Sequence, residues 1–235
     1  MNQIVPGNNV KAILLYGSQA RGDADHISDV DVCVFLTDLP RPSEHVVRNL
    51  APCLPDQPLS IVAYTERDLQ AMLEHGSLFA WHLKLEARVV YGESYVRSKM
   101  KELQLFSRHN SEVKEYTGLL VDLIRDSCGC PVANEFDLSL LFTIVRNTCI
   151  VLSHWSGAPV FGRLSCFKDA AAYFPTLPFD ESTYLELSNW KSTYERGAPP
   201  QERLPSQEGM DELIRATGRL LDFADEQTQK TSTAP

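Results

Sequence analysis

Residues 17–31 constrain this chain more than any other stretch: Gly-Ser-Gln-Ala-Arg-Gly-Asp-Ala-Asp-His-Ile-Ser-Asp-Val-Asp, set between two apolar runs. The run before it, residues 12–16 (Ala-Ile-Leu-Leu-Tyr), predicts a buried strand. The run that Asp29 and Asp31 open (Val30, Val32, Cys33, Val34, Phe35, Leu36) predicts a second. Gly17 and Ser18 end the first strand, and residues 19–22 predict the start of a short helix. Side chains alternate across a strand, which predicts that Asp29 and Asp31 share a face. Neighbouring carboxylates repel each other unless a cation lies between them. Magnesium suits that place, because it takes oxygen ligands and shares sites with phosphates. A strand-turn-helix junction also presents free backbone amides to an anion. Gly17 would let a phosphate come close to the backbone, and Ser18 would add a hydroxyl donor. Together these features predict metal-dependent phosphoryl or nucleotidyl transfer.

Gly-Ser is a common turn and Asp-x-Asp is common on surfaces, so neither is specific alone. The full string, Gly-Ser-x-Ala-Arg-Gly followed after five residues by Ser-Asp-x-Asp in strand context, resembles the DNA polymerase β-like nucleotidyltransferase superfamily. It is most similar to the small bacterial branch that includes minimal and aminoglycoside nucleotidyltransferases. The resemblance implies an active site in which Asp29 and Asp31 are catalytic and hold magnesium. One ion would sit on the triphosphate, with room for a second near the nucleophile. It implies nucleotide contacts from Gly17, Ser18, Arg21 and Ser28, and from Lys168, which follows Gly162-Arg163-Leu164-Ser165. The substrate would be a nucleoside triphosphate, ATP by preference. The monophosphate would pass to a hydroxyl of a small molecule or protein, with release of pyrophosphate. The family usually adds a third carboxylate on the neighbouring strand. The alternation of residues 59–64 places Ser60 there, and a serine is a poor magnesium ligand and a poor base. Asp56, Glu86 and Asp169 are the acids that could stand in for it.

Two rivals follow from the same residues. Ser60 favours a nucleotide-binding module with weak or no turnover that acts through protein partners, as an antitoxin would. Arg146-Asn147 and His154, on one predicted helix, distantly resemble the Arg-His motif of HEPN-type ribonucleases, with a longer gap between them.

Composition narrows the partners. The 235 residues are 43% hydrophobic and 23% charged, as in a globular protein with an ample core. A net charge of −9 disfavours a nucleic acid as the main partner. No apolar stretch approaches the roughly 20 residues of a membrane helix, and no secretory leader is read at the N-terminus. Cys33 and Cys149 lie in apolar runs and read as buried thiols; Cys128 and Cys130 lack a second pair for zinc. A reducing cytoplasm is expected.

Residues 44–51 predict a helix, 59–64 a third strand, 65–74 a helix that Thr65 and Asp68 would cap, 77–86 another helix and 88–92 a closing strand and turn. These elements predict an α/β nucleotidyltransferase domain over residues 1–95, a mixed sheet with flanking helices. An all-α bundle of about five helices is expected over 96–226. Val113, Tyr116, Leu120 and Ile124 recur at helical spacing, as do Met210, Leu213, Ile214, Thr217, Leu221 and Ala224. Residues 136–155, apolar almost all round, predict the central helix, with further helices at 165–173 and 180–194. Residues 227–235 predict a disordered tail.

Overall fold

In the first unit the long apolar runs become neighbouring strands, because only a sheet covered on both faces can bury them. The computed structural model describes residues 9–24, 29–127, 133–197 and 203–232. It divides into two units, Met1–Ser107 and Arg108–Pro235.

The first unit holds β1 (Val10–Tyr16), α1 (Gly17–Arg21), β2 (Val30–Leu36), α2 (Glu44–Leu50), β3 (Leu59–Thr65), α3 (Glu66–Glu74), α4 (Leu78–Glu86), β4 (Arg88–Tyr91) and α5 (Glu93–Lys99). The four strands form one mixed sheet in the order β3-β2-β1-β4. β1 is antiparallel to β2 and β4, and β2 is parallel to β3. Val30, Val32, Val34 and Leu36 pack with Ile13 and Leu15 beneath Val47, Ala51 and Leu54, on and just after α2. Cys33 and Phe35 point the other way, with Ala12 and Leu14, against Leu69 and Leu73 of α3, Ala80 and Leu83 of α4, and Val96 of α5. Each fully buried Val, Leu or Phe in these layers stabilises the fold by about 1.5–3 kcal/mol. The cap predicted at Thr65 forms: its hydroxyl accepts from the Asp68 amide, and the Asp68 carboxylate accepts from the Thr65 amide.

The second unit is helical: α6 (His109–Ser127), α7 (Glu135–Ser153), a 3-10 turn at His154–Ser156, α8 (Ser165–Tyr173), α9 (Glu181–Arg196) and α10 (Gln207–Ser232). α7 packs against α6, α8, α9 and α10, and twelve of its residues are buried. By length and composition alone the segment Glu135–Ser156 could cross a membrane, which corrects the expectation that no stretch is long enough. Thr143, Arg146 and Asn147 interrupt the run, and 67% of the 18-residue apolar window within it is buried inside the protein.

Two other expectations need correction. The buried stripe of α6 is Val113, Tyr116, Leu120 and Leu123, whereas Ile124 is 40% exposed. The stripe steps by three after Leu120, as a repeat of 3.6 allows. Residues 227–232 are helical, where composition predicted disorder. Thr228 lies four residues beyond the buried Ala224 and is itself buried, so the packed face of α10 outlasts its apolar letters. Residues 128–132, with Cys128 and Cys130, and residues 233–235 lie outside the described set. Cys33 and Cys149 are buried free thiols, as expected.

Candidate active site

Gly17 ends β1 because its φ of 70° suits glycine and almost no other residue, and the chain turns there into α1. It is also the point of closest approach to an acid. A β-carbon at Gly17 would lie 2.3 Å from Asp31 Oδ2, so the carboxylate fills the space that the missing side chain leaves. Sequence reasoning assigned that space to a phosphate; the structure gives it to Asp31. The turn and the acid are therefore in contact, fourteen residues apart in the chain.

The register fixes the face of Asp31. It pairs with Tyr16 across the antiparallel ladder and with Ser60 across the parallel one. Tyr16, Asp31 and Ser60 thus form a row on the side of the sheet that α3, α4 and α5 cover. The alternation of residues 59–64 had placed Ser60 beside Asp31, and it is there. Burial, and the Asp31 carboxylate next, push the Tyr16 phenol far above its usual range, so Tyr16 stays neutral.

Asp29 differs from expectation. β2 starts at Val30, and Asp29 precedes it as an exposed residue outside the ladder. The reason is the turn: β1 stops at Tyr16, so no strand residue remains opposite Asp29. The pleat that fixes the face of Asp31 therefore does not fix that of Asp29. Ser28 lies outside the described residues.

Arg21 ends α1, but its guanidinium does not stand open. Its Nη1 donates to Glu86 Oε2 at 2.9 Å and its Nε donates to Asp23 Oδ2 at 3.1 Å. His82 Nε2 approaches the same Glu86 oxygen at 3.1 Å. Burial alone would raise Glu86, but the neighbouring His82 and the hydrogen bond from Arg21 outweigh it and hold the carboxyl below its ordinary range. Burial alone would lower Arg21, yet its bonds to Glu86 and Asp23 hold it above its ordinary value. The only hint of this in the sequence is the i, i+4 spacing of His82 and Glu86; their meeting with Arg21 is long-range. Of the three acids that could replace a third carboxylate, Glu86 is committed to this network. Asp56 lies exposed between α2 and β3, and Asp169, in the second unit, accepts from Ser156 Oγ at 2.7 Å.

Lys168 stands on α8 within the second unit, exposed, with Nζ 3.4 Å from Glu181 Oε1. The residues of the ribonuclease reading have separate partners. Arg146 Nη2 donates to the Phe161 carbonyl at 2.6 Å, whereas His154 Nδ1 bonds His109 Nε2 at 3.0 Å.

Among the described residues no three His, Cys, Asp or Glu side chains gather as a ready-made metal cage. Asp31 against the turn, with Asp29 two residues before it, offers hard oxygen donors of the kind magnesium uses when substrate phosphates complete its shell. The donor set fits that ion.

The family model described as Polymerase beta, Nucleotidyltransferase matches residues 1–95. Comparison with curated proteins gives no match. Among solved structures, spectinomycin adenyltransferase AAD(9) from Enterococcus faecialis, crystallised with ATP and spectinomycin, is similar at 10% identity and a TM-score of 0.51, over 91% of this chain and 92% of that one. At that identity the likeness speaks to fold. Residues 1–95 therefore belong to the polymerase β nucleotidyltransferase superfamily, as a mixed four-stranded sheet with flanking helices, and an all-helical region follows them in the chain.

Proposed function

We propose that this chain moves a nucleoside monophosphate from a nucleoside triphosphate, ATP by preference, to a hydroxyl of a small molecule or protein. The observation that carries the reading is the Asp31 carboxylate seated against Gly17. It puts a hard anionic ligand beside a turn whose helix start has no side-chain cap. The amides of Gly17 and Ser18 would hold outer phosphate oxygens there. Asp31 and Asp29 would hold magnesium, which when bound supplies positive charge to the triphosphate. The acceptor oxygen would bond to the α-phosphorus as the α–β bridging bond breaks, so that pyrophosphate leaves and the hydroxyl proton goes to solvent or to a base. Rate would come from orientation and charge placement, as in phosphoryl transfer generally. The solved relative, crystallised with ATP and a small molecule, supports a small-molecule acceptor.

Ser60 beside Asp31 favours a second reading, a module that binds nucleotide and turns over little, because a hydroxyl near neutral pH takes no proton from a nucleophile. Pyrophosphate release, measured with each of the four triphosphates, magnesium and a panel of hydroxylated acceptors, separates the two. Acceptor-dependent release supports transfer. Saturable nucleotide binding without release supports the module, and neither result would leave the site assignment wrong.

A further inference from the structure

Helix α4 grips the glycine turn at both ends. Tyr16, the residue before Gly17, sets its ring edge-on to His82 and to Phe79, each with centroids 5.5 Å apart. Arg21, the last residue of α1, is bonded to Glu86 one turn further along α4. His82 and Arg21 converge on a single oxygen, Glu86 Oε2, and the side chains of His82, Glu86 and Arg21 are only 12%, 17% and 21% exposed. The five residues of α1 are too few to hold themselves as a helix, because a short helix forms few bonds for the backbone it must order. Their placement must come from neighbours, and β1, β2 and α4 are those neighbours.

We infer that Glu86 is a positioning residue: it holds Arg21 as a strut that fixes the Gly17–Arg21 turn against Asp31. Arg21 then acts through the turn, with its charge already met by Glu86 and Asp23, and not as a cation for phosphate. This rests on the nucleotide-binding reading of the same turn and changes the role that the motif gives its arginine.

The two roles predict opposite signs. If Arg21 were a phosphate ligand, Glu86→Gln would release its charge toward the triphosphate and tighten binding. As a strut, Arg21 loses its anchor, and the apparent dissociation constant of a magnesium–nucleoside triphosphate should rise about tenfold, the lower end of what lost supporting contacts cost a site. Isothermal titration of wild type, Glu86→Gln, Glu86→Ala and Arg21→Gln reads this, with circular dichroism to show that each variant folds. Arg21→Gln combined with Glu86→Gln should be no worse than either alone, since both break one strut. Hydrogen exchange gives a readout that needs no ligand: the amides of residues 17–22 should exchange faster in Glu86→Ala, while those of β2 keep their protection. Tighter binding in Glu86→Gln, or unchanged exchange at residues 17–22 in Glu86→Ala, overturns the inference. A wild-type protein that binds no triphosphate overturns the nucleotide reading, and the exchange experiment still decides whether the strut exists.

Discussion

Gly17→Ala is the most informative single change, because two effects meet there that its near neighbour Gly22 separates. Both glycines are left-handed, at φ 70° and φ 81°. A β-carbon at Gly22 would meet nothing within 4 Å, whereas one at Gly17 would meet Asp31 Oδ2 at 2.3 Å and Asp31 Cγ at 3.2 Å. Both alanines incur the left-handed penalty of about 1–2 kcal/mol. Only Gly17→Ala adds crowding, of about 1–3 kcal/mol in a packed site, or less if the carboxylate swings aside. Swinging aside is the important outcome, since it relieves the clash by taking the proposed metal ligand from its place. Gly17→Ala should therefore cost somewhat more stability than Gly22→Ala in urea denaturation, and lose far more magnesium-dependent nucleotide affinity. In an Asp31→Ala background the extra cost of Gly17→Ala should vanish, leaving the backbone penalty. Equal stability losses at the two glycines, with nucleotide affinity kept in both, would refute the contact between turn and acid.

Three further outcomes are expected. Burial, and then the facing His154, push His109 down to about 4 from 6.5, so between those values the unfolded chain binds a proton that the folded one refuses. Stability should thus fall as pH drops from 6.5 toward 4, by about 2 kcal/mol once solvent screening is discounted; urea midpoints across that range read it, and His109→Gln should flatten the slope. Ser60→Asp puts a carboxylate beside Asp31, and if the missing acid limits turnover, pyrophosphate release should rise about 100-fold or more; an unchanged rate would show that a base is not what the site lacks. Asp180 caps α9, accepting from the Thr183 amide at 2.9 Å, so Asp180→Ala should cost about 1 kcal/mol in thermal unfolding.

What the sequence revealed and what it hid divide along the range of the interactions. β1 and β2 were legible because Val, Ile and Leu run unbroken where both sheet faces are covered, and the Ser60 position followed from a period of two once the parallel pairing was assumed. The cap at Thr65 was legible because capping spans three residues. For Asp29 the pleat argument takes both acids to lie within the strand, whereas the turn at Gly17 ends the β1–β2 ladder at the Tyr16–Asp31 pair, two residues short of it. α5 was missed because only Val96 in it is buried, too little for a periodic signal. The strut at Glu86 joins residues 65 apart in the chain, and nothing local to either announces it. α7 shows the limit of composition: its apolar length alone does not tell a membrane span from a helix enclosed by four neighbours.

The central claim is that Asp31 and Asp29, beside the turn at Gly17, hold a divalent cation together with a triphosphate. Calorimetric titration of ATP into wild type and into Asp29→Asn/Asp31→Asn, with magnesium and with chelator, tests it most directly. The account predicts saturable binding by wild type in magnesium only, and none by the double variant although it folds. Equal affinity in the two proteins, or affinity indifferent to magnesium, would contradict it.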